Sequence, residues 1–202
     1  MEKFANIYQR ASERKGGAAA LKRLMPKVRS PRALANTGDD RYLSEMTRCV
    51  FQAGFVWRVV DHKWDDFEDV FFGFPPEKIL LLSPDQIDRL CQNPRIIRNR
   101  QKIEGSVLSA RAYLDIEEKE GFSNFLWKFV DGKPVQNRLQ DLNDIQAETE
   151  TSKKMSKALK DAGFKFCGPT IVYAFMQATG MVNDHLVGCH CHAKCAALAL
   201  KK

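Results

Sequence analysis

Six side chains able to hold a metal ion crowd one stretch near the C-terminus: His185, Cys189, His190, Cys191, His192 and Cys195. Imidazole and thiolate are the ligands zinc prefers, so the cluster asks for a metal explanation. Cys49, Cys91 and Cys167 stand alone. Cysteines so unevenly placed do not form a secreted disulfide scaffold, and a reducing compartment suits them better.

A second pattern is built for phosphate. The segment Leu159 to Ala174 reads as a helix end, a turn bounded by Gly163 and Gly168, and a new helix opening at Pro169 and Thr170. Glycine at a helix C-terminus permits a left-handed backbone, and the following helix then offers unpaired N–H groups and the positive end of its dipole to an anion. Lys153, Lys154, Lys157, Lys160 and Lys165 oppose only Asp161 here. An ordinary packing corner has the same outline, so the pattern alone leaves both readings open. Arg95, Arg98, Arg100 and Lys102 form a second basic run without an acid, which serves either as a solvated face or as a phosphate-tracking patch.

These residues need a scaffold. The chain has 202 residues, 44% of them hydrophobic, enough for one domain or one with a small appendage. Of its net charge of +7, residues 1–41 carry ten Lys/Arg against four Asp/Glu, or +6, which suits a polyanion such as nucleic acid. Gly16, Gly17, Pro26 and Pro31 break up this region, leaving Ala18–Leu24 as a short helix and 37–40 as a boundary. The expected organisation is a basic arm (1–40), a helical domain (41–192) and a tail (193–202).

Beyond the arm the periodicity is helical. Met46, Val50, Ala53 and Trp57 follow one stripe, and Ser83-Pro84-Asp85 is an N-cap with proline in the first turn. Further helices are predicted over 98–118, 121–130, from 151–152 onward and over 170–180, with 131–146 as the long connection. Strand-type alternation is scarce, so the fold class is all-α, with six to eight helices. No run suits a membrane span or a signal peptide, and a soluble, cytoplasmic monomer is expected.

The strings GFKFCGPTIVYAFMQATGMVNDHLVGC (163–189), IIRNRQKI (96–103), ARAYL (110–114), FLWKFVDGKP (125–134) and FQAGFVW (51–57) occur in order. Over about residues 42–192 the chain resembles the DNA-3-methyladenine glycosylase I family. The resemblance implies an all-helical helix-hairpin-helix glycosylase that flips an alkylated nucleotide out of double-stranded DNA and hydrolyses its N-glycosidic bond. It further implies backbone contacts from Arg98, Arg100, Lys102, Gly163, Lys165, Gly168 and Thr170, and a base pocket at Cys49, Gln52 and Trp57. Trp57 is the residue expected to stack on the base, whereas Phe51, Phe55 and Trp64 read mainly as core.

The departures are specific. Where the family carries a Glu that contacts the base, this chain has Cys49, best read as a small buried residue. Substitute carboxylates are Glu45, one turn before Cys49, and Asp184; each also reads as an ordinary structural charge, on a solvated helix face or at a helix cap. Residues 1–41 hold no Cys, no His and no Tyr-x-x-Tyr-His-Asp motif, so two of the family's zinc ligands are missing. His185 and Cys189 match the other two, and Cys191, His192 or Cys195 stand ready to complete a zinc set locally. Pro169 and Thr170 follow Gly168 where lyase-active relatives keep a lysine, so a Schiff-base step is not expected. The expected activity is monofunctional release of an alkylated base, 3-methyladenine first. The alternative is a non-catalytic relative that binds DNA or damage.

Overall fold

Local capping explains most of the helix boundaries. Ser83 accepts from the Gln86 amide while the Gln86 side chain accepts from the Ser83 amide, and Pro84 fills the first helical position. Thr149 and Ser152 form the same reciprocal box, so the helix predicted from 151–152 begins at Glu150. Asn99 caps the longest helix by accepting from the Lys102 amide.

The computed structural model describes residues 3–25 and 38–199. Its helices are α1 (Phe4–Arg14), α2 (Ala18–Leu24), α3 (Asp39–Gln52), α4 (Trp57–His62), α5 (Trp64–Val70), α6 (Pro76–Leu80), α7 (Pro84–Gln92), α8 (Arg100–Glu120), α9 (Phe122–Trp127), α10 (Glu150–Asp161), α11 (Pro169–Ala178) and α12 (His190–Ala199). The all-α expectation holds. Beyond the arm, the six to eight expected helices become ten among the described residues, α3 to α12, because α4, α5 and α6 are too short to show a periodicity. Pro26, Pro31 and residue 37 of the predicted boundary lie outside the described residues. No described helix is long and apolar enough to cross a membrane.

Cα proximity divides the chain into two compact units. One comprises Thr37–Gly132 and Ala147–Thr179; the other combines Met1–Asn36, Lys133–Gln146 and Gly180–Lys202.

The larger unit holds α3 to α11. Tyr42, Leu43, Met46 and Phe51 of α3 are buried, and α8 buries a face of small residues that includes Gly105, Ser106, Ser109, Ala110 and Ala112. Glu68 on α5 accepts from Arg41, Ser44 and Trp64, joining α5 to α3. Trp64, Phe67, Phe71 and Phe74 stack in sequence behind it. Full burial of a large apolar side chain contributes roughly 1.5–3 kcal/mol, so this aromatic group is a principal anchor of α5.

The smaller unit contains a two-residue parallel pair, β1 (Val135–Gln136), inside what the sequence shows only as a connection, with β2 (Val182–Asn183). Asn183 donates to the Gln136 side chain and to the His192 carbonyl. Phe4 and Tyr8 of α1 lie against the His190 ring, Tyr8 edge-on at 5.9 Å.

Candidate functional site

The expected stripe through Met46, Val50, Ala53 and Trp57 ends early. Gly54 takes φ +76°, a left-handed conformation that terminates α3 after Gln52. Trp57 therefore starts a new helix and is 62% exposed, beside Phe55 at 44% and Val56 at 66%. Phe55 is thus a surface residue rather than core, while Phe51 and Trp64 are buried as expected. Three consecutive exposed apolar side chains on a tight loop form a platform on which a flat ring can stack.

Cys49 is only 5% exposed. Burial, with Glu45 adding to it, pushes its thiol far above the ordinary cysteine range, so the side chain is neutral at working pH. Around it α3 carries a charged network absent from the sequence reading. Asp61 accepts from Arg48 at 2.7 Å and from the Gln52 amide at 2.9 Å, and Arg48 lies 4.0 Å from Glu45. The Gln52 nitrogen is thus held by the protein itself, and Glu45 is half-buried beside a guanidinium.

The hairpin has the predicted form. The Phe164 amide donates to the Leu159 carbonyl and the Gly163 amide to the Lys160 carbonyl, with Gly163 at φ +108°; this paired 6→1 and 5→2 closure caps α10. Gly168 is the N-cap of α11 and Pro169 follows in its first turn. The turn is tied to its surroundings by Ser156, whose hydroxyl donates to the Cys167 carbonyl at 2.6 Å, and by Ser109, which accepts from the Lys165 amide at 3.1 Å. Gly105 explains the close fit: a Cβ there would lie 2.7 Å from the Phe166 ring. Neither serine was legible as functional, but a glycine inside an amphipathic helix signals close approach.

Lys102 donates from its ammonium to the Ala53 carbonyl at 2.7 Å. Lys102 and Gly105 are one turn apart on α8, so the exposed aromatic loop and the hairpin turn are held on the same end of that helix. Between them, Met46, Thr47 and Val50 of α3, Gly105, Ser106 and Ser109 of α8, and Lys165 line a shallow cleft.

The basic residues divide by partner. Arg100 is engaged by Asp88 and Glu104, Arg95 by Asp66 and Asp69, Lys153 by Glu148 and Glu150, and Lys157 by Asp161. Arg98, Lys154, Lys160 and Lys165 are exposed and form no ion pair among the described residues. Thr170 is exposed at the start of α11, 3.5 Å from a Glu148 carboxylate oxygen.

In the smaller unit, His185, Cys189 and Cys191 bring their ligand atoms within 4.8 Å of one another, with Cys189 Sγ 3.8 Å from His185 Nδ1. Zn–S and Zn–N bonds of about 2.3 and 2.0–2.1 Å require ligand separations only slightly shorter, so the three fit a zinc ion. His192 is turned away: its Nε2 lies 2.9 Å from the Asn137 carbonyl. Cys195 lies outside the group. Asp184 accepts from the Asn137 amide at 2.6 Å, next to β2 rather than at a helix cap.

All-helical packing around a glycine-bounded hairpin places the chain in the class of helix-hairpin-helix DNA glycosylases, as similarity to solved structures shows. A crystal structure of 3-methyladenine DNA glycosylase I is 40% identical, with a TM-score of 0.75 over 78% of this chain and 87% of that one. The Staphylococcus aureus 3-methyladenine DNA glycosylase I, studied for its recognition of 3-methyladenine, is 31% identical, with a TM-score of 0.73 over 88% and 87%. Among curated proteins, the DNA-3-methyladenine glycosylase of Haemophilus influenzae is 45% identical over 141 residues, 69% of this chain and 76% of that protein. The chain belongs to the methyladenine glycosylase family, whose model matches residues 34–192.

Proposed function

We propose that this chain is a monofunctional DNA glycosylase of base-excision repair, releasing 3-methyladenine from double-stranded DNA as a monomer. The family match across residues 34–192 carries this reading. The loop at Gly54 supports it by presenting Trp57 to solvent.

In the proposed reaction the bond between the sugar C1′ and the base nitrogen breaks, and its electron pair leaves with the base. Water adds to C1′ and loses a proton to solvent. An N3-alkylated adenine is already cationic, so departure neutralises it and needs no proton from the enzyme. The protein's part is to hold the flipped base by stacking on Trp57 and to exclude water from it. Cys49, buried and neutral, supplies shape there rather than charge. The hairpin residues Gly163, Lys165, Gly168 and Thr170, with Arg98, fit the flanking phosphates.

Zinc on His185, Cys189 and Cys191 is a structural role in this reading: the ion would cross-link the segment after β2 to the start of α12. All six cysteines are free, which supports a reducing, cytoplasmic setting.

The decisive experiment is incubation with methylated duplex DNA followed by chromatography of the released bases, with 3-methyladenine expected. Cys49 in place of the family's Glu favours one second reading, a relative that binds DNA without cleavage. Duplex binding with no released base would select it.

A further inference from the structure

Lys102 belongs to a basic run that reads as a phosphate contact, yet its ammonium faces inward. It donates to the Ala53 carbonyl, the C-cap of α3, at 2.7 Å and lies 5.7 Å from the Phe51 ring centre and 5.3 Å from that of Phe55. A cation at a helix C-terminus meets the negative end of the dipole, and a cation over an aromatic face fixes that ring. The base of Lys102 is itself fixed, its amide bound by Asn99 Oδ1 and its carbonyl by Ser106 Oγ.

Besides Lys102, two backbone bonds hold the loop it touches, from the Ala53 amide to the Cys49 carbonyl and from the Phe55 amide to the Gln52 carbonyl. Gly54 is left-handed and a Cβ there would meet nothing within 4 Å, and Phe55, Val56 and Trp57 are all exposed. Burial lowers the lysine's basicity, as expected for an ammonium withdrawn from bulk water.

We infer that Lys102 is a positioning residue for excision: it locks the Ala53–Gly54 turn so that Phe55 and Trp57 stand ready before DNA arrives. The inference rests on the excision reading above. Without the lock the loop samples many conformations, and ordering it becomes a cost of reaching the transition state.

The test compares full-length wild type, Lys102→Met and Lys102→Arg in three measurements: single-turnover release from methylated duplex, normalised to folded protein; amide hydrogen exchange at 53–57; and the salt dependence of binding to unmodified duplex. Lys102→Met should slow release at least about tenfold and speed exchange of the Ala53 and Phe55 amides, which donate to the Cys49 and Gln52 carbonyls, to a similar degree. Lys102→Arg, which keeps a cationic donor, should recover most of both. The salt slope should match wild type in both variants. Unchanged exchange in Lys102→Met would overturn the inference. So would a salt slope reduced by about one, which would make Lys102 a phosphate contact. If wild type releases no base, the excision reading fails, and exchange together with salt dependence still decides whether Lys102 holds the loop.

Discussion

The Ser156 hydroxyl and the Cys167 carbonyl, both buried, meet at 2.6 Å and fasten α10 to the turn that precedes α11. Ser156→Ala would leave that carbonyl without its partner, at a cost of about 1–3 kcal/mol. Urea unfolding of the variant checks this; a midpoint equal to wild type would show the bond to be replaceable.

Trp57 and Cys49 should separate cleanly. Trp57→Ala removes an exposed side chain, so the melting temperature should hold while base release disappears. Cys49→Ser should change release less than about tenfold, or about 1.4 kcal/mol in the barrier. Loss of activity in Cys49→Ser at full folding would instead make the thiol a participant.

Phosphate contacts are read by salt. Arg98→Ala and Lys165→Ala should each lower the slope of log affinity against log salt by about one. Arg100→Ala, already engaged by Asp88 and Glu104, should lower it less. Binding titrations over a salt series measure this, and equal effects at all three positions would refute the division by partner.

Zinc content tests the smaller unit. Purified protein should carry one ion per chain by elemental analysis, and His185→Ala or Cys191→Ser should lower the occupancy. His192→Ala should not, because its ring is occupied by Asn137. Strong chelation should lower the melting temperature of wild type more than that of Cys191→Ser.

The pH behaviour of Cys49 follows from its burial. Its folded-state value lies above the ordinary 9.0, so its contribution to stability is complete below pH about 9 and is lost as pH rises beyond it, where the unfolded chain ionises first. Iodoacetamide at neutral pH should leave Cys49 unlabelled in folded protein, as peptide mass mapping would show. Rapid labelling would mean that the site opens.

Legibility in the sequence followed the range of the interactions. The hairpin was readable because glycine and proline punctuate the backbone locally. The charged network through Asp61 was not, since Arg48 and Asp61 meet only after Gly54 turns the chain back. The same turn made Phe55 a surface residue. Lys102 shows the sharper limit: composition marks a charge but not its direction, and this one points at a carbonyl. The β1–β2 pair escaped notice because two residues carry no alternation.

The smaller unit is assembled from stretches far apart in the chain, and this sets an order on biosynthesis. A ribosome releasing roughly 5–20 residues per second delivers everything the larger unit needs by Thr179. At that moment β1 has emerged without a partner, because Val182 and Asn183 have not yet been made. Pairing of β1 with β2 and the gathering of His185, Cys189 and Cys191 become closing events of folding, completed only when the last segment is synthesised.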